Sequence, residues 1–118
     1  MIDNWPKTTA SLTQHLKTLR AGSPELMQTF SECAKIALKP GTLDTKTKEL
    51  MALAISIAVR CDDCIAFHVK AAVQQGATRE EIQETIHVAV YMGAGPSVMY
   101  ASHALTAFDE FKMAQSGT

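Results

Sequence analysis

The chain has 118 residues, of which 47 % are hydrophobic and 6 % aromatic, a length that suits one domain. Its 11 basic and 12 acidic residues give a net charge of −1, which offers no electrostatic footprint for nucleic acid or for an anionic membrane. The first ten residues lack a signal-peptide pattern, and the apolar run from Leu50 to Val59 is shorter than the roughly 20 residues of a membrane span. These features predict a cytoplasmic protein with neither nucleic acid nor membrane as a partner.

The predicted elements are all helical, because aliphatic residues recur at helical spacing between clear start and stop signals. The sequence predicts about six helices in a single domain, at residues 8–20, 24–38, 45–59, 62–75, 79–92 and 97–113. Asp44 is a predicted N-cap, and Thr78 with Glu81 fits a capping box. The segment from Gly93 to Pro96 is a predicted junction between the last two helices.

The third predicted helix is apolar nearly all round, so we expect it to be buried on most sides, in the core or at a subunit contact. Glu49 is the one acidic residue on this helix. Burying a carboxylate is costly unless it is paired or protonated, which makes Glu49 a candidate general acid or base. The alternative is a solvated acid that the helix dipole favours in the first turn.

The segment from Arg60 to His68 is the part of the chain that is richest in chemistry. Cys61 and Cys64 lie three residues apart at a predicted helix start, where the helix dipole favours a thiolate. His68 follows Cys64 by four residues, so the two share a helix face and can exchange a proton. Three cysteines in all, two of them paired, indicate a redox or metal pair in a reducing compartment rather than a secreted disulfide scaffold.

Three charged residues lie beside the cysteines and act in opposite directions. Asp62 and Asp63 oppose thiolate formation, whereas Arg60 offsets part of that effect. A metal site is the alternative to redox chemistry, although Cys61, Cys64 and His68 supply at most three of the four ligands of structural zinc. Inert buried thiols are the third possibility.

The remaining cysteine and histidines are predicted to have structural or surface positions rather than catalytic roles. Cys33 is expected to be a small core residue of the second helix. His15 is a predicted surface residue. His87 and His103 lie among apolar neighbours and are expected to be satisfied buried or interface histidines.

The arrangement of Glu49, Cys61-x-x-Cys64 and His68 resembles the motif of the carboxymuconolactone decarboxylase superfamily, in its alkylhydroperoxidase D-like branch. The similarity extends over a core from about residue 43 to 108 and includes the break at 92–96. The resemblance implies an all-helical, alkylhydroperoxidase D-like fold that assembles into homotrimers or homohexamers.

The resemblance also implies a function, a thiol-dependent oxidoreductase that acts as a peroxidase or a disulfide reductase. Cys64 would be oxidised by peroxide, Cys61 would resolve the product as a disulfide, and Glu49 with His68 would relay the proton. The substrate would be a small hydroperoxide or a disulfide. No bound cofactor is implied, and an external dithiol or a protein reductant would reset the pair.

One position departs from the pattern of the best-known members of that branch, which carry a histidine immediately before the second cysteine. Asp63 occupies this position here. A carboxylate stabilises a neighbouring thiolate less well than an imidazole, so peroxide reduction is expected to suffer more than disulfide exchange. A lactone decarboxylase-like enzyme and a metal-binding oligomeric module are the alternative functions.

Overall fold

A computed structural model describes residues 2–117, and over these residues the chain forms five helices and no strand. The helices are α1 (Trp5–Gly22), α2 (Pro24–Leu38), α3 (Thr45–Ala58), α4 (Asp62–Gln74) and α5 (Arg79–Gln115). The all-α prediction is confirmed. Within residues 2–117, no helix combines the length and the apolar character that a membrane crossing requires.

The beginning of α1 lies three residues before the predicted position 8, at Trp5. The side chain of Asn4 caps the helix by accepting a hydrogen bond from the backbone N–H of Lys7, at 2.9 Å. The backbone N–H of Trp5 donates to Oε1 of Glu110 at 2.7 Å, and the indole side chain is buried. The hydrogen bond to Glu110 and the burial of the Trp5 indole together attach the first turn of α1 to the end of α5.

The two predicted caps further along the chain are confirmed. Asp44 accepts from the backbone N–H of Thr47 at 2.7 Å at the start of α3. Thr78 and Glu81 form the complete capping box at the start of α5.

The last helix, α5, is interrupted at the predicted junction, and its two helical segments on either side of Ala94 correspond to the predicted fifth and sixth helices. Ala94 alone leaves the helical region, at φ 58° and ψ −145°. Pro96 follows at once and suits the first turn of the helical segment beyond the bend. A Cβ added to Gly93 would overlap the side chain of Ser97, so the bend requires glycine there. A single non-helical residue, Ala94, therefore changes the direction of the chain where a longer junction was predicted.

The core lies between α3, α4 and α5, which contact one another most extensively. Its fully buried aliphatic side chains include Leu53, Ile57, Ile65, Val69 and Ile82. This packing fixes the relative positions of the two helices that bear the predicted site.

Helix α2 lies at the periphery, and none of its residues from Pro24 to Leu38 is buried. It contacts only α1 and α3 among the described helices. Cys33 is consequently exposed, and the prediction of a core cysteine is wrong because no element covers that face of α2.

Helix α3 has two apolar faces, of which the single chain buries one. Leu53 and Ile57 are fully buried, whereas Met51, Ile55 and Val59 are 50 %, 61 % and 64 % exposed. Burial on most sides is therefore not seen within one chain. The exposed face continues onto α5, and a groove of about 270 Å³ between the two helices is lined by Ala54, Ile55 and Ala58 of α3 and by Val88, Ala89 and Met92 of α5.

Candidate active site

The connection between α3 and α4 consists of three residues, Val59 to Cys61, and sets the direction in which α4 leaves. The backbone N–H of Cys61 donates to the carbonyl of Ser56 at 3.0 Å, and that of Arg60 donates to the carbonyl of Ile57 at 3.1 Å. This is the Schellman pattern of a helix C-terminus, which places one residue in the left-handed region. Arg60 takes that position with φ 63°, where glycine is the common choice. The turn directs α4 back against α3.

Cys61 ends this turn and is also the N-cap of α4. Its Sγ accepts a hydrogen bond from the backbone N–H of Cys64 at 3.1 Å. The two cysteines are joined as a disulfide across a Cα–Cα distance of 5.2 Å. Both residues are partly buried, so the pair lies at the surface without being fully open to solvent.

Glu49 and His68 come together across the interface of α3 and α4. Oε1 of Glu49 lies 2.7 Å from Nδ1 of His68. The Glu49 side chain is only 7 % exposed, so the alternative of a solvated first-turn acid is wrong. The His68 side chain is 30 % exposed. With Nδ1 directed at the carboxylate, Nε2 is the ring nitrogen available for proton exchange, on the helix face that His68 shares with Cys64.

The two aspartates between the cysteines have different surroundings. Oδ1 of Asp62 lies 2.7 Å from Nδ1 of His103 on α5, whereas Asp63 is exposed. The ring of His103 is 16 % exposed and packs between two aromatic rings, with centroid distances of 5.1 Å to Tyr100 and 6.2 Å to Trp5. His103 is thus the satisfied, mostly buried histidine that was predicted, and its partner is a residue of the cysteine motif.

The other two histidines lie at the surface of the single chain. His15 is exposed, as predicted, and His87 is exposed on α5. Among residues 2–117, no three His, Cys, Asp or Glu side chains are grouped so that they could hold a metal ion.

Comparison with known proteins shows the family to which the chain is related. Residues 24–107 match the sequence profile of the carboxymuconolactone decarboxylase family, a stretch that includes α2 as well as the motif. An uncharacterised protein of the cox locus of Paracoccus denitrificans is 40 % identical over 105 residues, which cover 89 % of this chain and 91 % of that protein.

Two solved structures of family members superimpose closely. The apo structure of a carboxymuconolactone decarboxylase family protein from Legionella pneumophila gives a TM-score of 0.88 at 50 % identity, covering 91 % of this chain and 96 % of that one. A family protein from Thermotoga maritima, for which an involvement in the antioxidative response has been suggested, gives 0.84 at 30 % identity, covering 93 % and 94 %. The profile match, the identities and the superpositions lead to one conclusion: the chain belongs to the carboxymuconolactone decarboxylase family.

Proposed function

We propose that the protein is a thiol-dependent oxidoreductase of the alkylhydroperoxidase D-like type, with Cys61 and Cys64 as its redox pair. The proposal rests on one observation, the contact of 2.7 Å between Glu49 of α3 and His68 of α4. The two cysteines lie at the start of α4. A buried carboxylate that orients an imidazole is the usual device for proton transfer at a reactive group. Here the imidazole lies one helical turn after Cys64.

The reaction with a hydroperoxide starts from the reduced pair. The Cys64 thiolate attacks the peroxide, the O–O bond breaks, and the alcohol leaves with a proton that His68 supplies. The resulting sulfenic acid condenses with the Cys61 thiol, so that water leaves and the disulfide forms. An external dithiol, or a reductant protein with two thiols, then returns two electrons and two protons, and its two thiols are oxidised to a disulfide.

The surroundings of the pair favour this chemistry in two ways. The N-terminus of α4 stabilises a thiolate, and the backbone N–H of Cys64 already points at Sγ of Cys61. The His103 contact holds the Asp62 carboxylate. The suggested antioxidative role of the relative from Thermotoga maritima is consistent with the same chemistry.

Intact-protein mass spectrometry tests the proposal directly. The reduced chain, treated with one equivalent of a small hydroperoxide, should lose two hydrogens, and a dithiol should restore them. Cys61→Ser and Cys64→Ser should each abolish that loss and also turnover of hydroperoxide with a dithiol. Cys33→Ser is the matched control, since Cys33 is exposed on α2 and should leave both results unchanged.

Two outcomes would overturn the proposal. Thiols that stay free in the presence of peroxide and of small disulfides would exclude redox use of the pair. Turnover of a lactone that survives replacement of both cysteines but needs Glu49 or His68 would instead assign the decarboxylase-like alternative.

We further infer that the chain associates with copies of itself, as the family resemblance implies. The groove between α3 and α5 is lined entirely by apolar side chains, of which Ile55, Val88 and Met92 are 61 %, 58 % and 71 % exposed. A contiguous apolar surface of this kind on a small chain is typical of a subunit contact. A trimer or a hexamer is the assembly that we expect.

A further inference from the structure

We propose that His103 is a positioning residue for the dithiol: by holding the Asp62 carboxylate against α5, it limits the negative charge that opposes thiolate formation at Cys61 and Cys64. The inference rests on the proposed use of the two cysteines as a redox pair. It adds a second carboxylate–imidazole pair to the one formed by Glu49 and His68.

Asp62 is next to a cysteine in sequence, but its carboxylate has a partner on another helix. As the first residue of α4 it directly follows Cys61, the sulfur-bearing N-cap. Its Oδ1 nevertheless lies 2.7 Å from Nδ1 of His103, which is 41 residues further along the chain. The carboxylate is therefore drawn to the side of α4 that packs on α5.

The His103 ring is itself fixed, so it can hold the carboxylate in one place. Tyr100 packs against it edge-on, and Trp5 of α1 covers it from another direction. Trp5 is in turn tied to α5 through its backbone hydrogen bond to Glu110. Two helices, α1 and α5, thus determine where Nδ1 of His103 lies.

The charged groups around the pair show why one carboxylate matters. Asp63 is exposed, and water screens its charge, as it screens that of Arg60. Glu49 is engaged with His68 across α3 and α4. Asp62, with a side chain that is 28 % exposed, is the acid next to a cysteine that is least screened, and its only partner among the described residues is His103. A hydrogen bond from neutral imidazole anchors the carboxylate, and protonated imidazole also neutralises it.

The rate of iodoacetamide alkylation of the reduced pair, measured against pH in a Cys33→Ser background, tests this inference. His103→Leu keeps an apolar side chain between Trp5 and Tyr100 but removes the donor. We expect the alkylation rate at pH 7 to fall about three- to tenfold, the effect of one carboxylate at a few ångströms in a partly solvated site. His103→Gln keeps a donor and should restore most of the rate.

The role of Asp62 gives the decisive comparison. Asp62→Asn should raise the rate, and His103→Leu should have almost no further effect in the Asp62→Asn protein, because no carboxylate remains to be held. Equal losses in the two backgrounds would mean that His103 acts only through packing and would overturn the inference. An unchanged rate when Asp62→Asn is added to the His103→Leu protein would also overturn it, because the released carboxylate would then have no effect on the thiols.

His87→Ala is the matched control, an exposed histidine on the same helix whose loss should leave alkylation unchanged. Alkylation needs neither peroxide nor reductant, so it separates this inference from the proposed function. If hydroperoxide is not turned over but the alkylation rates follow the expected pattern, the proposed enzyme activity is wrong and the role of His103 stands. If turnover is normal but His103→Leu leaves the alkylation rate unchanged, the role of His103 is wrong and the enzyme activity stands.

Discussion

Replacing Glu49 by Gln separates proton transfer from structural support at the same position. Gln retains an oxygen that can accept from Nδ1 of His68, but it cannot carry the negative charge that holds the imidazole in a proton-accepting state. Removing a general acid–base group typically lowers a rate by about 10²–10⁴-fold. We expect Glu49→Gln to reduce dithiol-dependent hydroperoxide turnover by about 10²–10⁴-fold.

The stability of the variant should change much less than its activity. The contact of 2.7 Å is a charge-assisted hydrogen bond that Glu49→Gln converts to a neutral one, at a loss of about 1 kcal/mol in unfolding free energy. Glu49→Ala leaves His68 without that acceptor and also leaves a cavity where a mostly buried side chain stood, so it should cost about 2–3 kcal/mol. Ala is thus the less stable variant, although both lack the carboxylate.

Urea denaturation and turnover measurements on the two variants check this reasoning. The expected result is that Gln and Ala lose activity to a similar extent while only Ala loses much stability. Glu84→Gln, an exposed acid on α5, is the control for removing one negative charge. The relay would be refuted if Glu49→Gln kept wild-type turnover, or if activity in the two variants simply followed their stability.

Other changes test the bend, the electrostatics and the association surface. Gly93→Ala should lower the unfolding free energy by about 1–3 kcal/mol in urea denaturation, because its Cβ would overlap the Ser97 hydroxyl; a loss below the scatter of the method would contradict the packing at the bend. The hydrogen bond from Lys46 lowers the pKa of Glu81, so their interaction stabilises the fold above the ordinary Glu range and is lost as pH falls through the lowered value. Below about pH 4, unfolding of Glu81→Gln should therefore depend less steeply on pH than unfolding of the parent protein, and equal slopes would exclude a contribution from this pair. Ile55→Asp should shift sedimentation toward a single chain with no loss of helical circular dichroism, whereas an unchanged sedimentation coefficient would place the subunit contact elsewhere.

The features that the sequence predicts well depend on contacts between residues a few positions apart. Asp44 and Thr78 cap their helices through contacts within three residues, so the local sequence specifies them. The spacing of Cys64 and His68 places them on one helix face for the same reason. The Glu49 contact spans two helices and was predicted from a resemblance rather than from local chemistry.

The features that sequence missed depend on contacts between distant segments. His103 meets Asp62 where α5 packs on α4, and no local signal relates two residues 41 positions apart. The exposure of Cys33 has a similar cause, since an amphipathic helix does not reveal whether another element covers its apolar face. The early start of α1 is the one missed feature with a local signal, because Asn4 followed by Pro6 is a recognisable helix start.

The disulfide that closes on the cap of α4 has a consequence for how the protein responds to oxidation. Its two cysteines are three residues apart within one helical turn, so the bond restricts the unfolded chain far less than a cross-link over a long loop would. It also connects no two helices, and the contacts of α3, α4 and α5 hold the fold without it. In the proposed redox cycle the bond therefore opens and closes while the contacts among α3, α4 and α5 stay in place, and its proposed role is to hold two oxidising equivalents rather than to brace the fold.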